Sequence, residues 1–254
     1  LQQLSIKKLE MTLFDTEELS VEDRDRLEKD PRKGVQNLLK RWDRIQEKKR
    51  HMRLKYEEML QFERKQYEQG IRYISGIDEA GRGPLAGPVV AAAVILKPNS
   101  QLYGINDSKQ LSKSKRDYFF QWIKEEAVSI GVGIVTAKEI DQINIYQAAK
   151  KAMSQAVDNL DLVPEHLLID AMTLSTPIPQ TSLIKGDARS ISIAAASVIA
   201  KVTRDKMMEE MDEVYPGYGF SHHAGYGTKE HLEAIKQLGP CPEHRLTFAP
   251  LQSK

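Results

Sequence analysis

Asp78 and Glu79 are adjacent acids that directly follow the apolar run Ile74-Ser75-Gly76-Ile77, and Asp170 follows Leu167-Leu168-Ile169 in the same way. A carboxylate at the end of a buried strand loses its hydration, which is costly unless a cation or hydrogen bonds compensate. If both strands belong to one sheet, Asp187, after Ile184-Lys185-Gly186, can join them, and four acids converge on one patch. Clustered carboxylates repel one another at neutral pH, and a hard divalent cation is the usual remedy. Magnesium or manganese suits such an oxygen-rich set better than zinc. Taken singly, Asp170 and Asp187 read more simply as turn or cap residues. Asp78-Glu79 differs because Gly81-Arg82-Gly83 comes next. Two glycines let backbone amides approach a ligand, and a guanidinium grips phosphate in its planar fork. Acids for metal, with amides and arginine for phosphate, point to phosphodiester chemistry.

Two other chemistries compete for these residues. A dinucleotide loop needs G-x-G-x-x-G between a strand and a helix. Here the spacing is Gly81-x-Gly83-x-x-x-Gly87, Pro84 interrupts it, and the strand-like run from Val89 to Leu96 follows. Zinc is suggested by His222, His223, His231 and His244, but their spacing matches no helical ligand pair and the single Cys241 adds no thiolate set. Met207, Met208 and Met211 read as core filler on a long helix.

The elements that must position the acids follow from periodicity. Residues 73–77 and 89–96 read as strands joined by the glycine-rich segment 78–88, and 130–135, 167–169 and 182–184 as further strands. Ser112 is placed to cap a helix carrying Tyr118, Phe119, Trp122 and Ile123, residues 139–160 read as mostly helical, and helices are expected over 191–215 and 229–238. This order predicts an α/β domain on a mixed sheet.

The first 70 residues are charged, poor in glycine and helical in period. Thr16 or Ser20 can cap a short acidic helix ending near Asp30-Pro31. From Val35 a narrow apolar stripe through Leu38, Leu39, Trp42 and Ile45 runs on toward Gly70 as one or two long helices. Residues 31–65 hold twelve Lys and Arg against five Asp and Glu, so the net charge of +1 over 254 residues hides a basic helical arm. Such a run is commonly a solvated face, and nucleic-acid contact is its other reading. We divide the chain into an extension, 1–70, and a catalytic segment, 71–254. The segment from about Ile71 is expected to fold alone, unless the apolar stripe packs on it. The longest apolar run falls well short of the ~20 residues a membrane span needs, and no signal-peptide pattern opens the sequence, so a monomeric cytoplasmic protein with no membrane partner is expected.

The motifs together resemble the bacterial ribonuclease HII family. The resemblance rests on Gly76 through Pro88 (GIDEAGRGPLAGP), Asn106 through Leu111 (NDSKQL), Lys185-Gly186-Asp187, Ala194 through Ser197 with Ala200-Lys201-Val202 and Arg204-Asp205, Gly225 through His231 (GYGTKEH), and His244-Arg245. It spans residues 71–250, while the extension resembles one that some members carry. The sister ribonuclease HIII group usually has lysine in place of Arg82.

The resemblance implies a ribonuclease H-like mixed β-sheet flanked by helices. It implies hydrolysis of RNA in RNA/DNA hybrids and 5′ to ribonucleotides embedded in duplex DNA, with Mg2+ or Mn2+, two ions in the catalytic complex. Asp78, Glu79, Asp170 and Asp187 take the catalytic and metal-ligand roles, with Asp78 bridging. Gly81, Arg82, Gly83 and Tyr226 read the ribonucleotide, and Lys109, Lys185 and Arg204 are expected phosphate contacts. Asp205 is either a spare acid for the metal or an ion-pair partner of Lys201 or Arg204. The competing functions are a DNA junction nuclease of the same fold and a non-catalytic hybrid-binding protein.

Overall fold

The computed structural model describes residues 4–252, and the chain divides into two compact units between Lys55 and Tyr56. In the first unit, α1 (Ile6–Asp15) and α2 (Val21–Glu28) begin at Ser5 and Ser20, whose side chains accept the backbone N–H of Lys8 and Asp23. Of the two expected caps for the acidic helix, Ser20 is used, and Thr16 instead closes α1. The long helix α3 (Lys33–Met59) follows. Its stripe of Val35, Leu38, Leu39 and Trp42 is buried against Leu9, Leu13 and Leu27, so it is satisfied within the first unit. The division between the compact units falls inside α3.

The second unit starts with the last turn of α3 and with α4 (Gln61–Tyr67). It continues through β1 (Ile74–Ala80), β2 (Val89–Ile95), α5 (Lys113–Glu126), β3 (Ser129–Val135), α6 (Ala137–Ile143), α7 (Ile145–Asp158), β4 (His166–Asp170), β5 (Gln180–Leu183), α8 (Ile191–Val214), α9 (Phe220–His223) and α10 (Lys229–Leu238). The helical stretch expected over 139–160 breaks at Asn144, whose backbone turns left-handed and whose side-chain oxygen accepts the N–H groups of Tyr146 and Gln147 to start α7. Among the described residues no helix is long and apolar enough to cross a membrane.

The sheet order is β3-β2-β1-β4-β5, with β1, β2 and β3 antiparallel and β4 and β5 parallel to β1. This is the mixed sheet of a ribonuclease H-like α/β fold. One face packs on α8 and α5, where Ala92 and Val94 meet Ala194, Ala195, Val198 and Phe119. The other packs on α7, where Ile77, Ala91, Ala93, Leu167 and Ile169 meet Ala148, Ala152 and Met153. Gly76 sets the first contact: a Cβ there would lie 2.0 Å from the Ser192 carbonyl carbon, so only glycine lets α8 come this close to β1. Of the methionines on α8, Met208 is buried with Ala86, Tyr218 and Phe220, and Met211 packs against that cluster.

Candidate active site

β1 does not stop before its acids. The ladder with the alanine-rich β2 continues through Ala80, pairing Asp78 with Ala92 and Glu79 with Ala91. On the other side β4 runs parallel with Ile77 opposite Ile169, so the next residues, Asp78 and Asp170, sit level on neighbouring strands. Alternation sends both to the same face as Gly76, the face covered by α8. Asp187 lies in a 3-10 turn, Gly186–Ala188, and Asp170 Oδ1 accepts the Gly186 N–H at 2.6 Å, tying that turn to the end of β4.

The electrostatics match crowded, poorly hydrated acids. Asp78 is 5% exposed, and its carboxyl is held well above the usual range by burial, then by Glu79 and Asp170. Glu79 is raised by burial and, less, by Asp170, against the opposing pull of Arg82. Asp187 is pushed up to about 6 by burial, Asp107 and Asp170. Burial pulls the Lys109 ammonium down, but Asp107, Asp78 and Asp187 outweigh it and its pKa is raised. Among the described residues no three His, Cys, Asp or Glu side chains form a ready-made coordination cage. The donor chemistry still fits a hard cation, because Glu79 Oε2 is buried with no hydrogen-bond partner while its other oxygen accepts from Arg82 at 3.2 Å.

The loop from Gly81 to Pro88 is held by two buried arginines that form no ion pair among the described residues. Arg245, 0% exposed, donates to the carbonyls of Gly81, Arg82, Pro84 and Gly87. Arg204, 1% exposed, donates to the carbonyls of Ala86, Pro88 and Ala224. Burial lowers both, Arg204 to about 10 and Arg245 to about 9. Of the expected phosphate contacts, Arg204 borders the same cleft as Tyr226 but is buried, and its Nε, Nη1 and Nη2 each donate to a backbone carbonyl, so in this structure it braces the loop. Gly81 is part of that brace, with φ of +98° and a Cβ position 2.1 Å from Arg204 Nε. Asp205 pairs with Lys201 at 2.6 Å, as one of its two readings expected.

Tyr226 is 43% exposed and its ring lies beside Gly83, 3.6 Å from where a Cβ would stand. With Glu79, Arg82, Lys109, Asp170 and Lys201 it lines a cleft of about 760 Å³. Lys185 is exposed in a left-handed turn and does not line that cleft. The Tyr226 backbone is set by a relay of histidines. The Cys241 N–H donates to His244 Nδ1 at 2.9 Å, which leaves His244 Nε2 to donate to His231 Nε2 at 3.0 Å. His231 Nδ1 in turn donates to the Tyr226 carbonyl at 2.9 Å. Burial lowers both imidazoles, His244 to about 4, so the pair is neutral at pH 7. All four ring nitrogens of His231 and His244 are thus engaged in hydrogen bonds.

Several residues that build the site were given no role by the sequence. Glu63 on α4 is buried, and its Oε1 accepts Ser190 Oγ at 2.6 Å and the Ser192 N–H at 2.9 Å, fixing the start of α8. Farther along α8, Ser197 hydrogen-bonds Ser108 at 2.9 Å and so ties the Asn106–Leu111 segment beside the acids. Ser197 and Arg245 lie in motifs that carry the resemblance, which gave them no role of their own, and nothing local marked Glu63.

Comparison with known proteins gives the same picture. A family model described as Ribonuclease HII matches residues 75–250, and one described as Ribonuclease HII N-terminal domain matches residues 5–67. Ribonuclease HII of Bacillus cytotoxicus is 56% identical over 93% of this chain and 92% of its own length, and that of Bacillus cereus is 55% identical over 99% and 98%. Among solved structures, ribonuclease H2 from Pyrococcus horikoshii superposes with a TM-score of 0.61 at 28% identity, covering 70% of this chain and 95% of that one. The ribonuclease HII solved in a PCNA complex from Archaeoglobus fulgidus gives 0.60 at 25%, covering 72% and 98%. With its acids on the two central parallel strands and matches along nearly its whole length, the chain belongs to the ribonuclease HII family and is a ribonuclease H enzyme.

Proposed function

We propose that this ribonuclease H is a divalent-metal-dependent endonuclease that hydrolyses the RNA strand of RNA/DNA hybrids and cuts on the 5′ side of ribonucleotides embedded in duplex DNA. The observation that carries the metal dependence is the level placement of Asp78 and Asp170 beside a buried Glu79 oxygen that nothing else satisfies. Asp78, Glu79, Asp170 and Asp187 would hold magnesium or manganese, two ions when substrate is present, and these supply an activated water and stabilise the leaving oxygen. The four acids hold that charge in a poorly hydrated pocket. Lys109, kept protonated by Asp107, Asp78 and Asp187, offsets part of their repulsion and lines the cleft where a phosphate would lie. In the hydrolysis a water oxygen bonds to phosphorus, the bond to O3′ breaks, and O3′ leaves with a proton, giving 5′-phosphate and 3′-hydroxyl ends. The ribose 2′-hydroxyl is a recognition group, since it is what separates RNA from DNA at one position.

That recognition falls to the backbone of Gly81-Arg82-Gly83 and to the ring of Tyr226, which share one cleft with Glu79 and Asp170. The Arg204 and Arg245 brace and the His231–His244 relay hold these groups in place before substrate arrives. Lys185, exposed at the edge, is left as a contact for a flanking phosphate. The test is Asp78→Asn: it should bind a ribonucleotide-containing duplex as the parent does and fail to cut it in magnesium. Near-parental turnover would overturn the assignment.

A further inference from the structure

The matched family and the active site leave the long helix of the first unit without a role, and its charge is not spread evenly. At 100° per residue, Lys33, Asn37, Lys40, Arg44, Lys48, His51 and Lys55 fall within about 80° of one another around α3. All are exposed except Lys55, which is half-buried. Between Lys33 and Lys55 the helix carries two acids, Asp43 and Glu47. Each is held bidentately by an arginine off the stripe: Asp43 by Arg24 at 2.8 and 3.1 Å, Glu47 by Arg50 at 2.8 and 3.0 Å. Lys33, Lys40, Arg44, Lys48 and Lys55 make no ion pair among the described residues.

We propose that this stripe is a second, sequence-independent contact for the phosphate backbone of duplex nucleic acid, separate from the cleavage cleft. Charge complementarity and length favour that occupant. The 22 steps from Lys33 to Lys55 run about 33 Å at 1.5 Å each, close to one helical turn of B-DNA at ~34 Å. Phosphate contact by lysine and arginine fixes position without reading bases. A membrane surface fits less well, since a membrane-bound helix buries an apolar face in lipid, and the apolar side of α3 is already covered by Leu9, Leu13 and Leu27. The stripe gives the enzyme affinity for any duplex, which a nuclease searching DNA for rare ribonucleotides needs.

The test uses the full chain with Lys40→Gln, Arg44→Gln and Lys48→Gln combined, exposed changes that break no side-chain hydrogen bond or ion pair among the described residues. Binding to a labelled all-DNA duplex of about 20 base pairs, which the cleavage site has no ribonucleotide to read, is measured by anisotropy over a range of salt. Each lost phosphate contact lowers the slope of log K against log salt by about 0.9. The triple variant should lose up to about 2.7 of slope and bind at least tenfold more weakly at low salt, while its kcat on a ribonucleotide-containing duplex is retained. The control Arg26→Gln with Lys29→Gln removes cations that are already paired within α2 and its cap, and should leave the slope as it was. An unchanged slope in the triple variant, an equal drop in the control, or loss of binding to anionic lipid vesicles but not to duplex would overturn the proposal. Because all-DNA binding is scored without cleavage, a failure of the proposed active site leaves this result readable.

Discussion

A chain beginning at Ile71, the boundary expected from the sequence, should not fold. Such a cut removes Tyr56, Met59 and Leu60, which are buried among Leu102, Ile105, Phe119 and Ala195 in the main core. It also strips Phe62 and Tyr67 from Ile74, Leu168 and Ile193. Fully burying a large apolar side chain contributes about 1.5–3 kcal/mol, so the three core residues alone represent about 5–9 kcal/mol. The cut further deletes Glu63, leaving the Ser192 N–H and Ser190 hydroxyl at the buried start of α8 without their acceptor. Leaving a buried donor without an acceptor costs about 1–3 kcal/mol each. Against a total stability of about 5–15 kcal/mol these losses are decisive. A chain beginning near Lys49 keeps all of these groups and should melt cooperatively. Near-UV circular dichroism and thermal melting of the two truncations, beside the full chain, make the comparison. A cooperative melt of the shorter chain within a few degrees of the parent would refute the reasoning.

Further outcomes follow from the site. In metal-free buffer Asp187→Asn should be more stable than the parent at pH 8. The folded pKa of Asp187, about 6, lies above its unfolded value of 3.8, so the native state holds its proton longer, and the resulting stability is lost as pH rises through about 6. The shift corresponds to about 3 kcal/mol at most, or about 1–2 kcal/mol for a half-buried group screened by solvent, giving a Tm gain of about 2–6 °C that shrinks to roughly half at pH 5. A gain equal at both pH values, or none, would count against a repelled acid at this position. Tyr226→Ala should lower cleavage at an isolated ribonucleotide about fivefold or more, since a stacking aromatic contributes about 1–3 kcal/mol. Its melting should barely change; a collapse in Tm would assign the ring to the core. Gly81→Ala forces a Cβ into Arg204 at positive φ, and should depress activity and stability together, the latter by about 2 kcal/mol or more; parental melting would show the brace to be dispensable.

Where a residue's neighbours in sequence determine its surroundings, the sequence was informative. Apolar runs ahead of Asp78 and Asp170 announced buried strands, and parallel register did the rest. The Gly81 to Gly83 pattern marked a backbone that must come close to something, although that something includes Arg204 as well as a ligand. Arg204 shows the limit: an arginine one helical turn beyond Lys201 looks like a phosphate contact, and only the tertiary fold reveals that carbonyls 116 and 118 residues away take its donors. Glu63 and Ser190 are 127 residues apart, and the His231–His244 pair likewise depends on loops meeting late. The strand end at Ala80 and the break at Asn144 were misplaced for a milder reason. Asp and Glu are poor strand formers, and pairing with β2 overrides that in β1; at Asn144 a helical periodicity on both sides hid a residue that caps α7.

The most direct test of the account is cleavage of a DNA duplex containing a single ribonucleotide, with the cut mapped in magnesium, in manganese and with chelator. The account predicts one incision on the 5′ side of the ribonucleotide with 3′-hydroxyl and 5′-phosphate ends, dependent on metal, absent on the all-DNA duplex and lost in Asp78→Asn. Incision that survives chelator, ends carrying a 2′,3′-cyclic phosphate, or equal cutting of all-DNA duplex would contradict it.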